Sequence, residues 1–160
     1  MGVRVRDYAI VDAEVVVALS LRAWAPVFAS TEELLGPELS GRLRGDWHAS
    51  QERAVRAVLA DPAQRVWVAD DQGQPVGFAA ATLHTDSLLG EISMLAVDPE
   101  AQNHGVGMAL TATATDWLRT SGMRVAMIDT GGDPGHAPAR RVYEKAGYTA
   151  FPVVRYFKAL

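Results

Sequence analysis

Residues Glu91–Leu110 read E-I-S-M-L-A-V-D-P-E-A-Q-N-H-G-V-G-M-A-L. The apolar run up to Val97 has the texture of a strand, and Asp98-Pro99 stops it. A polar loop follows. Gly105 and Gly107 then open a segment with Val106, Leu110, Ala114, Trp117 and Leu118 at helical spacing. A helix that starts this way after a strand concentrates unpaired backbone N–H groups and the positive end of its dipole at one spot, which is an anion site. Glycine lets the backbone approach an anion with no Cβ in the way. No lysine or arginine lies between Glu91 and Leu110, so an anion held here is held by main-chain amides. The glycines alone fit a tight loop-to-helix turn equally well.

Working outward, Leu88–Val97 is predicted as a strand, Gly105–Thr120 as a helix closed by Ser121-Gly122, and Met123–Asp129 as a strand. That order is a right-handed βαβ crossover. Upstream, Arg65–Ala69 and Val76–Leu83 flank the turn residues Asp71–Pro75, an antiparallel hairpin. Val3–Arg6 alternates as a short strand. Asp12 is placed to cap a helix carrying Val15, Val16, Leu19 and Ala23, which ends in an aromatic loop at Trp24, Pro26 and Phe28. Thr31–Leu35 starts a second helix and Gln51–Leu59 forms a third. Downstream, Pro138–Ala146 is a helix and Tyr148–Lys158 a final strand. The expectation is one α+β domain over residues 1–160: a mixed, mostly antiparallel sheet with a central βαβ crossover, flanked by helices.

Composition narrows the function. With 15 Lys and Arg against 19 Asp and Glu, the formal charge is −4, which disfavours nucleic acid as a partner. There is no cysteine, so a disulfide scaffold, a thiolate nucleophile and cysteine-held metal are excluded. His48, His84, His104 and His136 show no paired metal spacing, and no metal is expected. The early apolar run Val15–Leu19 is far shorter than the roughly 20 residues of a membrane span, and the N-terminus lacks a signal-peptide core. A cytoplasmic protein is expected.

Nucleotide-binding patterns separate on detail. A P-loop needs a Gly-Lys pair, and the chain has none. A dinucleotide fingerprint needs a third glycine where Leu110 stands, and the seven residues Asp98–His104 separate its first glycine from the strand. The pyrophosphate of coenzyme A uses the same physics with a different loop. Ile92, Leu95, Val97, Pro99, Gln102, Gly105 and Gly107 form I-x-x-L-x-V-x-P-x-x-Q-x-x-G-x-G, which resembles the acetyl-CoA signature of the GNAT superfamily of N-acyltransferases. Ala139, Tyr143, Glu144, Lys145, Gly147 and Tyr148 resemble that family's second motif, in the family's order and spacing. One position departs: His136 stands where the family usually has asparagine.

The resemblance implies an acetyl-CoA-dependent N-acetyltransferase that acts by direct transfer to an amine. It implies that Leu95, Ala96 and Val97 run beside the pantetheine arm. The amides of Gln102, Asn103, His104, Gly105, Val106, Gly107 and Met108 would hold the pyrophosphate, with His136 and Tyr143 completing the cosubstrate site. The Leu95 N–H would stabilise the oxyanion. Glu91 is the first choice of general base, with His84 its rival, and Tyr143 is the general acid. Trp24 and Phe28 are candidates for the acceptor side, with Trp47, Asp129, Arg140 and Arg141 as weaker ones. A homodimer through the last strand is expected as an option. The alternative is a non-catalytic acyl-CoA-binding or sensing module of the same fold.

Overall fold

The hairpin at the centre of the sheet shows how local chemistry sets the register. Strands β2 (Arg65–Asp71) and β3 (Gln74–His84) pair antiparallel, with Asp71 opposite Gln74. Only Gln72 (φ 54°) and Gly73 (φ 91°) are left for the turn. Both are left-handed, as a two-residue hairpin turn requires, and the Asp70 carboxylate accepts the Gly73 N–H at 2.7 Å. The computed structural model describes residues 2–160. Around the hairpin lie β1 (Arg4–Asp7), β4 (Leu89–Val97) and β5 (Val125–Ile128), in the order β1-β2-β3-β4-β5. Every pairing is antiparallel except β4–β5, which is parallel across the crossover helix α4 (Val106–Thr120).

Helices cover both faces. On one, Val106, Leu110, Ala114 and Leu118 of α4 pack on Trp67, Ala79, Ala81 and Ile92. The contact is close because two strand positions are glycine: a Cβ on Gly77 would stand 2.9 Å from the Ala96 carbonyl, and one on Gly90 2.4 Å from Leu118. On the other face, α1 (Ala13–Leu35) and α3 (Trp47–Ala60) bury Val16, Val17, Leu19 and Val55 against Val68, Phe78, Ala80 and Ala96. The short helix α2 (Pro37–Arg44) joins them, and α5 (Ala137–Lys145) packs beside α4.

Three sequence expectations need correction. The first helix does not end at Trp24–Phe28; it runs through Pro26 to Leu35, and Thr31–Leu35 is its last turn. Proline removes one backbone donor, but contacts made by the C-terminal half of α1 with the loop after β5 outweigh that loss. Asp12 does not cap α1. Its buried carboxylate is taken by both terminal nitrogens of Arg6, at 2.8 and 2.9 Å, and by the Ala9 N–H. No strand forms over Tyr148–Lys158. Pro152 lacks an N–H for a ladder, and no strand among the described residues pairs with this segment.

One irregularity builds the site. The β3–β4 register steps from Ala80↔Met94 to Ala81↔Ile92, so Ser93 is an extra, bulged residue. Its hydroxyl donates to Gln64 Oε1 at 2.6 Å. Pairing between β4 and β5 stops at Ile92↔Ile128, one residue short of the bulge. From Ser93 to Val97, β4 therefore has a strand partner on its β3 side only.

Candidate active site

The parted strands open onto a cleft of about 540 Å³. Its floor is Ile92–Val97, and one end is formed by Gln102, Asn103 and Gly105–Met108. Its walls come from Ala23, Trp24, Pro26 and Val27 of α1 and from His136, Ala139, Val142 and Tyr143 at and beyond the start of α5.

The direction of the free backbone follows from the ladder. The Asp98 N–H donates to Val76 at 2.9 Å, which makes those two residues a hydrogen-bonded pair. Antiparallel pairs alternate, so Leu95 and Val97 turn their N–H and C=O groups away from β3, towards the cleft. The Val97 carbonyl takes the Gln102 side-chain amide at 3.2 Å.

At the end of the cleft, Gly105 adopts φ 80° as the residue before α4, and no side chain caps the helix. The first intrahelical bond of α4 is Ala109 N–H to Gly105, so the N–H groups of Val106, Gly107 and Met108 are left for something else. Arg22 of α1 holds Asp98 in an ion pair, and Asp98 in turn accepts the Glu100 N–H. The loop that leads to the helix start is thus tied down from outside.

Tyr143 is 8% exposed. Burial, with Tyr148 nearby, pushes its phenol up to about 12. Seven residues earlier His136 also lines the cleft, and its Nδ1 is hydrogen-bonded to Asp133. The other Asp133 oxygen accepts from Ser30 at 2.7 Å and from the Gly135 N–H at 3.1 Å. Burial pushes the Asp133 carboxyl up, but the Ser30 and His136 bonds outweigh it, and the net shift is downwards.

Other candidate residues lie elsewhere. Glu91 is outside the cleft lining; it sits on the α1–α3 face of β4, with Oε2 at 2.8 Å from His84 Nε2, and both side chains are partly exposed. Trp24 lines the cleft. Phe28 lines a separate hollow of about 130 Å³, stacked on Trp47 with ring centroids 4.3 Å apart. His104 is exposed and outside the lining, whereas Asp129 and Arg141 line the cleft. Arg140 instead donates to the carbonyls of Gly131 and Asp133. Sequence reasoning missed Ser30 and Asp133, because Ser30 is 103 residues from the carboxylate it binds. The only local signal was the paired glycines around Asp133. Among the described residues, no group of three His, Asp or Glu is placed to hold a metal ion.

Known proteins share this fold. The family model described as "Acetyltransferase (GNAT) family" matches residues 28–148. A mycothiol acetyltransferase of Thermomonospora curvata is 34% identical over 111 residues, which is 69% of this chain and 36% of that protein. One from Beutenbergia cavernae is 38% identical over 89 residues, 55% of this chain and 29% of that protein. The chain thus spans about a third of the length of the curated relatives it matches. Among solved structures, the PaiA N-acetyltransferase of Thermoplasma acidophilum, in complex with coenzyme A, shares the fold with a TM-score of 0.66 at 14% identity, over 91% of this chain and 89% of that one. An aminoglycoside N-acetyltransferase in complex with coenzyme A does so with a TM-score of 0.62 at 16% identity, over 98% of this chain and 94% of that one. With the family model matching most of its length and the same fold in these structures, the chain belongs to the GNAT acetyltransferase family.

Proposed function

We propose that this domain transfers the acetyl group of acetyl-CoA directly to a primary amine of a small molecule or peptide, with no covalent enzyme intermediate. The observation that carries the reading is the free edge of β4, open on a cleft that ends at the uncapped start of α4. An extended arm bearing amides fits that edge as a neighbouring strand would. The bare N–H groups of residues 106–108 fit a pyrophosphate without any cationic side chain. The thioester supplies an activated acetyl group. The chain's residues bind, orient and move protons around it.

The Leu95 N–H faces the cleft and is the donor for the oxyanion; one such donor is worth on the order of 3 kcal/mol. Glu91, next in sequence to Ile92 of the cleft floor but outside the lining, takes the first proton from the acceptor ammonium through water. Tyr143 gives a proton to the departing sulfur. A phenol near 12 is fully protonated at neutral pH, as an acid must be. Thiols ordinarily titrate at about 8.5, so the donation is uphill and accompanies C–S cleavage. Trp24 of α1 borders the acceptor side.

The relatives' names point to amine acceptors of different kinds, mycothiol-type and aminoglycoside among them. We further propose that two copies of the chain associate through the segment after Tyr148, whose apolar side chains stand exposed.

The test is release of free coenzyme A thiol from acetyl-CoA with a panel of amines. The panel holds an aminoglycoside, a polyamine, an amino acid, a peptide with a free N-terminus and deacetylated mycothiol. Turnover on one of them is expected. Tight acetyl-CoA binding with no turnover on any amine would instead indicate a sensing module. Tyr143→Phe should lower kcat by about 100-fold or more with little change in acetyl-CoA affinity; an unchanged kcat removes the acid role.

A further inference from the structure

The cluster of Ser30, Asp133 and His136 is more elaborate than a loop needs. His136 Nδ1 is committed to Asp133, and Nε2 makes no hydrogen bond among the described residues, while the ring borders the cleft. Asp133 is fixed in turn by the Ser30 hydroxyl at 2.7 Å and the Gly135 N–H at 3.1 Å. Arg140 clamps the loop by donating to the carbonyls of Gly131 and Asp133. Two glycines make room for the cluster. A Cβ on Gly131 would stand 2.3 Å from Asp133 Oδ1 and 2.4 Å from His136 Nδ1, and one on Gly135 2.7 Å from Ser30 Cβ. A carboxylate that holds one imidazole nitrogen fixes the tautomer and leaves the other nitrogen as a proton acceptor.

We propose that His136 is a second proton acceptor of the acetyl transfer, with Asp133 and Ser30 as its positioning residues. The inference rests on the acetyltransferase reading above. An acceptor ammonium must lose two protons to become an amide nitrogen. The first leaves before attack, by way of Glu91. As the nitrogen bonds to the thioester carbon, His136 Nε2 takes the second. The C–S bond then breaks, and the sulfur departs with the Tyr143 proton. Afterwards Glu91 and the imidazolium each return a proton to solvent, solvent reprotonates Tyr143, and one proton has been released overall. His136 immediately precedes α5 and Tyr143 lies within it, and both open on the same cleft. In this scheme the imidazole at the start of α5 serves the nitrogen and the phenol within the helix serves the sulfur. The ionisable groups around His136 are Asp133 and Arg140 in its own loop and helix, together with Asp129, Arg141, Tyr143 and Lys145 along the cleft; β4 contributes none to the lining and α1 offers the Ser30 hydroxyl.

Two measurements test this, and the first does not depend on turnover. Nitrogen NMR of the imidazole at a pH where it is neutral should show the proton on Nδ1. Asp133→Asn should move it towards Nε2, because an amide can donate to Nδ1. A wild-type proton on Nε2 overturns the proposal. The second is kcat and KM against pH, with the amine that the wild-type enzyme turns over fastest. His136→Gln should lose about 100-fold or more in kcat and flatten the rise of kcat with pH, with KM for acetyl-CoA changed little. His136→Asn, which keeps a hydrogen-bond donor but cannot accept a proton, should be equally impaired. Full activity of His136→Asn, or a loss confined to the KM for acetyl-CoA, assigns the residue to cosubstrate binding and overturns the proposal. A wild-type enzyme with no turnover on any amine overturns the transferase reading as well, and is told apart by the intact tautomer. Thermal unfolding of each variant separates lost chemistry from lost fold.

Discussion

Gly107 isolates what the cleft asks of a single residue. It lies in the first turn of α4, and a Cβ there would meet Val142 at 3.6 Å and Val97 at 3.8 Å, ordinary packing distances. Alanine is the better helix former by up to about 1 kcal/mol, so Gly107→Ala should leave the melting temperature unchanged or raise it. Yet the new methyl stands where the helix start faces the cleft, and coenzyme A should bind about tenfold more weakly, roughly 1.4 kcal/mol. Calorimetric titration with coenzyme A beside a thermal melt reads both. A joint fall in stability and affinity would make Gly107 a packing residue only. Gly105→Ala is the contrasting case, since φ 80° there costs a side chain about 1–2 kcal/mol of strain. These glycines were legible in the sequence because an anion site at a helix start is a local pattern. The Ser30–Asp133–His136 cluster was not, because α1 and the loop after β5 meet only in the folded chain.

At the scale of elements, the crossover β4–α4–β5 and the β2–β3 hairpin were readable because period and turn chemistry agree along each of them. The bulge at Ser93 was not, although it ends the β4–β5 ladder and creates the cleft, because no residue type announces it. Helix α1 failed in the opposite direction: Pro26 is a strong stop signal, and the helix ignores it. The continuation is held from outside, by Ser30 bonded to Asp133 and by packing of α1 on the turn Pro134–His136, where a Cβ on Gly135 would stand 3.1 Å from the Pro26 carbonyl. A proline inside a helix costs about 3 kcal/mol relative to alanine where nothing compensates. Pro26→Ala should therefore raise stability in a denaturant titration, by about 1–3 kcal/mol, since it restores an N–H able to reach the Arg22 carbonyl. A loss of stability would mean that the fixed proline angle positions the cleft wall.

The molecule as a whole carries an excess of exposed apolar surface in one place. Phe151, Val153, Val154, Tyr156 and Leu160 are each at least 74% exposed, in a segment that forms neither helix nor strand. Among the described residues its end is tied back by one hydrogen bond, from Arg42 to the Leu160 carbonyl at 2.9 Å. Among the described residues β5 lies at the edge of the sheet with no strand beyond it, and its Val125 is 58% exposed. A free sheet edge and an extended apolar segment with unpaired backbone are complementary, and each copy of the chain holds one of each. Closed two-fold exchange uses both halves twice. Burying even half of those side chains contributes on the order of 5 kcal/mol. Light scattering coupled to gel filtration should thus find a dimer in the micromolar range. A chain ending at Tyr148 should run as a folded monomer, since within one copy the removed residues have the Arg42 bond and little else to lose. Phe151→Ser with Tyr156→Ser should weaken the dimer without shortening the chain. A full-length monomer at every concentration would rule out the exchange.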